Sequence, residues 1–321
     1  MASDATPERS SSPADDAVRL RPAAGRREGA AVAAVREVAE RCGLEAGDAG
    51  IWRAGSSVLV GLPTARVLGR VDDPRRLDAA CRQVAASAAM AAHRVPAITL
   101  TGPAEQPVAT DAGPVTLWRW LRAHRAEASP EDLGRLARRL HDATRDGVDG
   151  VTPHDPLTAV TAELERAAEL GLTDDDDLGL LLEHVERLRS AWPEPADDPL
   201  GVAVVHGDLH RHNAIVTDDG LVLADLELAG VGPATADLVP HVVAVRRYDA
   251  APRVLDEFVR GYGSAVPAWS GTEVLVEAYE MWATAWSVAN RGGSDVLAAE
   301  AEVRLDHWRP GRVSSRPWSL R

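Results

Sequence analysis

The sequence predicts an α+β chain of two lobes, a small antiparallel-sheet lobe followed by a larger, mainly helical one. Three observations carry this. Between Ile51 and Val71 three apolar, strand-like runs follow one another with only short turns between them. Most of the chain from Ser129 to Trp308 reads instead with a helical period. The length, 321 residues, suits about two domains at ~100–200 residues each.

The opening stretch MASDATPERSSSPADDAV is rich in Ser, Pro, Asp and Ala and poor in large apolar residues, so residues 1–25 read as a disordered tail. It has neither the basic nor the apolar region of a secretory signal. Glu28 to Cys42 reads as a helix with Val32, Val35 and Val38 on one face. Ile51–Arg53, Val58–Leu62 and Ala65–Val71 are strands. The small residues Gly55, Ser56 and Ser57 form a loop whose backbone N–H groups can approach phosphates closely. Pro74 to Ala92 is the next helix. Ala97–Leu100 and Val108–Thr110 are short strands, and Val115–Leu117 leads into Trp118-Arg119-Trp120. Ser129-Pro130-Glu131-Asp132 is a helix start: Ser caps, Pro takes the first position and carboxylates face the dipole. Further helices are expected over Pro156–Leu170, Asp177–Trp192, Ala234–Arg246, Pro252–Tyr262, Thr272–Asn290 and Asp295–Trp308. The Asp174–Asp177 run suits a helix N-terminus. Trp282 and Trp286, one turn apart, read as core.

The chemistry concentrates between Val205 and Leu238, VHGDLHRHNAIVTDDGLVLADLELAGVGPATADL. The apolar run Val202–Val205 places His206 to Asp208 at the mouth of a strand. Ala214–Val216 and Leu221–Ala224 flank Asp218-Asp219-Gly220, a hairpin signal. A hairpin brings the residue before its first strand near the residue after its second, so Asn213 and Asp225 should converge, with Asp208 close by. Two carboxylates and an amide in this layout suit phosphoryl transfer. One carboxylate handles a hydroxyl proton, while the other oxygens hold Mg²⁺ on nucleotide phosphates.

HGDLHxxN followed by Asp-Leu-Glu resembles the aminoglycoside phosphotransferase and choline kinase-like superfamily, which has the protein-kinase fold. The resemblance covers about Ile51 to Leu238. It implies that Asp208 is the catalytic base, that Asn213 and Asp225 hold Mg²⁺, and that His206, His210 and Asp237 support the catalytic loop. It also implies a nucleotide site at Gly55, Ser56, Ser57, Arg70 and Gln83. Val115 and Leu117 would lie in a hinge over residues 115–120, edging the adenine between an N-lobe at 26–114 and a C-lobe at 121–321. LHDAT, at the end of the helix after Ser129, is similar to the family's LH signature.

Two residues depart from the family. The chain has no lysine, so all 35 of its Lys and Arg residues are Arg, and Arg70 stands where the family places its ATP-binding Lys. A guanidinium binds phosphate oxygens in bidentate fashion but is bulkier. Gln83 stands where the family has a Glu. It can accept a hydrogen bond from Arg70 without forming an ion pair, and by this reading Gln83→Glu leaves activity equal or better.

Absent residues exclude other chemistries. Without lysine there is no GxxxxGK[ST] loop and no Schiff-base nucleophile. Cys42 and Cys81 are far apart and form no CxxC, against a zinc or disulfide framework. No apolar run approaches ~18 residues, so no membrane span is expected. A net charge of −14 argues against nucleic acid. It is compatible with a cationic small molecule and equally with acidity for solubility alone. Glu277 and Glu280 could meet such a molecule but read more commonly as solvated helix carboxylates. The expected activity is transfer of the γ-phosphoryl group of ATP, with Mg²⁺, to the hydroxyl of a small molecule in the cytoplasm. An aminoglycoside-like or other antibiotic is one acceptor class. The alternatives are a metabolic sugar or amino-alcohol kinase, or a nucleotide-binding pseudokinase with little turnover.

Overall fold

The computed structural model describes residues 20–145, 147–312 and 316–319. Most of the expected tail therefore lies outside the described residues. Its last part is anchored: Arg21 and Ile51 exchange backbone hydrogen bonds of 3.0 and 2.8 Å.

The first lobe consists of α1 (Arg26–Arg41), β1 (Gly50–Ala54), β2 (Val58–Leu62), β3 (Val67–Val71), α2 (Leu77–Ala92), β4 (Val108–Thr110) and β5 (Gly113–Arg119). Its five strands form one sheet in the order β1-β2-β3-β5-β4, with antiparallel neighbours throughout. Side chains alternate between the faces of a strand. Val58, Val60 and Leu62 of β2, Val67 and Val71 of β3, and Val115 and Leu117 of β5 thus pack together with Ala31, Val35 and Val38 of α1. Gly69 lets α1 lie this close, since a Cβ there would stand 2.5 Å from Val35 Cγ1. By the same alternation Arg70 points to the opposite face, towards α2 and the second lobe.

Two expectations change here. Ala97–Leu100 is not a strand. Pro96 has no N–H to donate to a ladder, and the segment instead straps the lobes together, with Ile98 N–H to Leu223 O at 2.8 Å and Leu223 N–H to Pro96 O at 3.0 Å. Val115–Leu117 lies inside β5, and the chain crosses to the second lobe through residues 120–129, which have no regular structure.

The second lobe holds α3 (Pro130–Ala143), α4 (Pro156–Glu169), α5 (Asp175–Ser190), β6 (Val202–Val205), β7 (Ala214–Thr217), β8 (Gly220–Leu223), β9 (Gly230–Pro233), α6 (Val239–Arg247), α7 (Arg253–Tyr262), α8 (Ser270–Asn290) and α9 (Asp295–Trp308). Ser129, Asp155 and Asp174 cap α3, α4 and α5 by accepting backbone N–H bonds of 3.1, 3.0 and 2.8 Å. Helices α3 and α7 touch backbone to backbone at Gly134 and Gly261, where a Cβ would meet Phe258 O at 2.1 Å and Glu131 O at 1.9 Å. One core gathers around α3, Phe258 and Leu209. A second joins α4, α5, α8 and α9 and includes Trp282, with Trp286 at its edge. Strand β9 was not expected, because Gly-Val-Gly-Pro carries little strand propensity; its pairing with β6 supplies the order. The helix expected over Ala234–Arg246 divides at Leu238 into a 3₁₀ turn, Ala234–Asp237, and α6, with Pro240 in the first turn of α6. No helix among the described residues is long and apolar enough to cross a membrane.

Candidate active site

The loop after β6 hangs on one buried carboxylate. Asp237 accepts the backbone N–H of His206 at 2.9 Å and of Gly207 at 2.8 Å, and is 2.9 Å from His141 Nε2. His141 Nδ1 in turn meets the Tyr262 hydroxyl at 2.9 Å. Burial opposes the ionised form of Asp237, but the His141 hydrogen bond and charge, with help from His206, hold the carboxyl below its ordinary value. Such a carboxylate is stable only because its acceptor sites are filled. Gly207 has φ +79°, and a Cβ there would stand 2.7 Å from Leu228 O. His206 joins this loop to the end of β8: its Nε2 bonds Ala224 O at 2.8 Å and its Nδ1 accepts the Asp208 N–H at 3.3 Å.

Asp208 is therefore presented on a fixed backbone. Its Oδ2 accepts from Asn213 Nδ2 at 2.9 Å, and its Oδ1 accepts from the Tyr279 hydroxyl at 2.6 Å. His210 Nε2 lies 3.4 Å from Oδ1. His210 Nδ1 accepts the His212 N–H at 3.2 Å, which assigns the proton of a neutral ring to Nε2, facing Asp208. Burial works to raise the Asp208 pKa, yet the charge and hydrogen bond of His210 and the Tyr279 hydroxyl outweigh it and leave the group below the ordinary carboxylate value. Burial also opposes the His210 cation, and Asp208 raises its pKa in spite of that.

Asn213 and Asp225 meet across the β7–β8 hairpin, where Ala224 N–H bonds Asn213 O at 2.9 Å. Asn213 Nδ2 donates to Asp208, to its backbone O and to Oδ2, each at 2.9 Å, and lies 3.3 Å from His210 Nε2, which leaves the amide oxygen as the free end. Asp225 takes the left-handed conformation, φ 59°, and its carboxylate is 39% exposed. That conformation is uncommon outside glycine, though tolerated by Asp, and it recurs at functional sites. A hard oxygen from an amide and one from an exposed carboxylate suit Mg²⁺, which keeps waters and phosphates as its other ligands. Among the described residues no cluster of three or more His, Cys, Asp and Glu is placed to hold a metal.

Arg70 reaches this point from β3. It is buried, and its Nε is shared between the two Asp72 oxygens at 3.0 and 2.9 Å. Its Nη1 lies 3.2 Å from Asp225 Oδ1, and its Nη2 2.9 Å from Glu227 Oε2. Burial disfavours the charge, but Asp72, Asp225 and Glu227 more than restore it, so the guanidinium stays ionised. Gln83 is within reach at 3.4 Å, the long end of a hydrogen bond. The closer anchors, Asp72 and Glu227, were missed in the sequence. Both were legible as neighbours, Asp72 two residues from Arg70 and Glu227 in the same Asp-Leu-Glu triplet as Asp225.

The Gly55–Ser57 loop closes on itself through Gly55 N–H to Ser57 O at 2.9 Å, and Arg27 of α1 donates to the carbonyls of Gly55 and Ser56 at 2.9 and 2.8 Å. Val115 and Leu117 are not brought to a nucleotide edge. They are interior to the sheet with fully buried side chains, and the N–H and C=O of Leu117 are taken by Gln106 Oε1 at 2.6 Å and Thr101 N–H at 2.9 Å. On the acceptor side, Glu280 is held by Arg247 at 2.7 Å and Glu277 by Arg187 at 2.7 Å, so neither stands as a free anion. Tyr279, between them on α8, carried no signal in the sequence beyond its helical position.

The fold is a kinase-like bilobal one. A choline/ethanolamine kinase family protein from Mesorhizobium loti superposes with a TM-score of 0.52 at 17% identity, over 88% of this chain and 93% of that one. An amicoumacin kinase solved with AMP-PNP and Ca²⁺ gives 0.59 at 12% identity, over 82% and 88%. An aminoglycoside phosphotransferase from Streptomyces rimosus gives 0.55 at 18% identity, over 78% and 98%. No curated protein matches this chain in sequence. The model of the phosphotransferase enzyme family matches residues 53–275, well over half of the chain, which takes in the Gly55–Ser57 loop, Arg70 and the Asp208–Asp237 segment and ends just before Tyr279. This chain belongs to the phosphotransferase enzyme family.

Proposed function

We propose that the chain transfers the γ-phosphoryl group of ATP to a hydroxyl of a small molecule. The observation that carries this is Asp208, an ionised carboxylate on an anchored loop, beside the paired oxygens of Asn213 and Asp225. Asp208 orients the acceptor hydroxyl and takes its proton as the oxygen attacks phosphorus. Asn213 Oδ1 and the Asp225 carboxylate hold Mg²⁺, which when bound neutralises charge on the phosphates. Arg70 exchanges carboxylate partners for phosphate oxygens, and backbone N–H groups of the Gly55–Ser57 loop lie over them. The adenine contacts lie beyond β5, where the chain crosses between lobes, rather than at Val115 and Leu117.

The acceptor is a hydroxylated small molecule, and both antibiotic kinases and a choline/ethanolamine kinase relative share the fold. Glu277 and Glu280 are paired with arginines and so are not free to meet a cationic acceptor, and a sugar or a neutral antibiotic fits as well as an amine. The contact of Arg70 with Asp225 and the Gln at 83 favour the competing reading, a nucleotide-binding protein with little turnover. The test is ADP formation from ATP and Mg²⁺ with a panel of hydroxylated amines, sugars and antibiotics. Asp208→Asn should lower kcat by about 10²–10⁴-fold while ATP affinity is retained. Normal turnover by this variant would remove Asp208 from the role of base. Binding without turnover across the panel would favour the pseudokinase.

A further inference from the structure

The hydroxyl of Tyr279 stands on the proposed base. Helix α8 carries the ring to Asp208, and the phenol donates to Oδ1 at 2.6 Å. The other carboxylate oxygen is engaged by Asn213 at 2.9 Å. The ring packs in a cluster with Val239, Val243, Leu275 and Val276, against Trp192, Tyr248 and Trp269. A hydroxyl donating to an ionised carboxylate makes a short, strong bond. An alcohol about to lose its proton to Asp208 must make the same kind of bond, to the same carboxylate. The phenol is thus the chemical analogue of the acceptor, already built into the fold.

We propose that Tyr279 is a positioning residue that stands in for the acceptor hydroxyl: it occupies Asp208 while nucleotide is bound alone, denies the base to water, and yields to the incoming acceptor. This rests on the phosphotransferase reading. Tyr279 keeps its proton throughout, because burial and the adjacent Asp208 charge both push the phenol pKa upward. What it suppresses is the transfer of the γ-phosphoryl group to water, in which Asp208 takes a water proton, the new P–O bond forms to the water oxygen, and ADP leaves.

The experiment measures acceptor-independent ADP and phosphate release by the full chain with ATP and Mg²⁺. Tyr279→Phe keeps the ring and removes the hydroxyl. A hydrogen bond to a charged group contributes about 1.5–3 kcal/mol, so the water reaction should rise by about tenfold or more. Tyr279→Leu should show the same rise, which separates loss of the hydroxyl from a change of shape. Adding Asp208→Asn to Tyr279→Phe should abolish the rise. A rate unchanged or lowered in both Tyr279 variants, with thermal unfolding like the parent's, overturns the stand-in role and makes Tyr279 a structural strut. A rise that survives in the double variant also overturns it, since the effect would then not pass through Asp208. Failure of the phosphotransferase reading has a different signature, namely ATP binding by the parent with no acceptor-dependent ADP formation across the panel of hydroxylated amines, sugars and antibiotics.

Discussion

The two halves of the site are held together by different physics. In the second lobe, the loop after β6 hangs on Asp237, whose two oxygens accept two backbone N–H groups and face one histidine. The groups around it are satisfied, and little would change on binding substrate. In the first lobe, one buried guanidinium faces three carboxylates, Asp72, Asp225 and Glu227. That cluster has an excess of negative charge before any nucleotide arrives. The contrast teaches a division of labour. The loop that carries the proposed base is preorganised by bonds that stay, whereas the phosphate side is poised by bonds that a nucleotide and its metal would exchange.

The largest effect expected from this contrast is at Asp237. Each buried polar group left unsatisfied typically costs about 1–3 kcal/mol, and Asp237→Ala would strand two backbone N–H groups and His141, so the loss should reach about 3–5 kcal/mol. Chemical denaturation should show a loss of that size, with activity falling alongside it. Asp208→Asn, by contrast, should cost far less stability for its large loss of turnover. A loss below about 1 kcal/mol for Asp237→Ala, within the range of one ordinary hydrogen bond, would mean that the loop is held by its packing and not by this carboxylate.

On the phosphate side the effects should be smaller and should appear in ATP affinity. Arg70→Ala loses charge-assisted contacts of about 1.5–3 kcal/mol, a weakening of roughly ten- to a hundredfold. Gln83→Ala loses at most a long neutral bond, about 0.5–1.5 kcal/mol. Gln83→Glu reverses the expectation drawn from sequence. With Asp72 already on Arg70 Nε, the new carboxylate would be the fourth around one cation in a buried place, so ATP affinity should fall and not rise. Calorimetry on the three variants, with and without Mg²⁺, decides. An Arg70→Ala protein that binds ATP like its parent would break the comparison at its first-lobe end.

How much of this was legible follows from the range of each interaction. The strands of the sheet and the capped starts of α3, α4 and α5 rest on alternation and on Ser or Asp caps, which are local, and they read from the sequence to within a few residues. Asn213 and Asp225 were legible together because a hairpin connects them. The interior position of Val115 and Leu117 was not, because it depends on Gln106 and Thr101 closing the outer side of β5. Tyr279 lies 71 residues from Asp208 and His141 lies 96 from Asp237. Only the packing of α8 and α3 brings them in. Strand β9 shows the same limit, since two glycines and a proline predict no strand and the partner strand alone makes one.

The last effect is a pH dependence that should belong to one region only. His241, at the start of α6, is buried and stacked on Phe258 with ring centroids 3.8 Å apart, and its Nε2 has no partner among the described residues. Burial, with a lesser contribution from the His210 charge, pushes its pKa down to about 3. An unfolded histidine titrates near ~6.5. Between those values the unfolded chain binds a proton that the folded chain refuses, so this contribution to stability is full at neutral pH and is lost as the pH falls below about 6.5. At pH 5 the loss from His241 should be about 2 kcal/mol. Buried His154 shifts in the same direction and adds to it. Arg70 remains charged across this range, so nothing comparable arises from that cation on the phosphate side. Denaturation of the parent and of His241→Leu at pH 7.5 and pH 5 measures the difference. The gap between the two pH values should shrink by about 2 kcal/mol in the variant. An unchanged gap would mean that His241 is protonated in the folded state, and that the ground beneath the catalytic loop is less dry than its packing indicates.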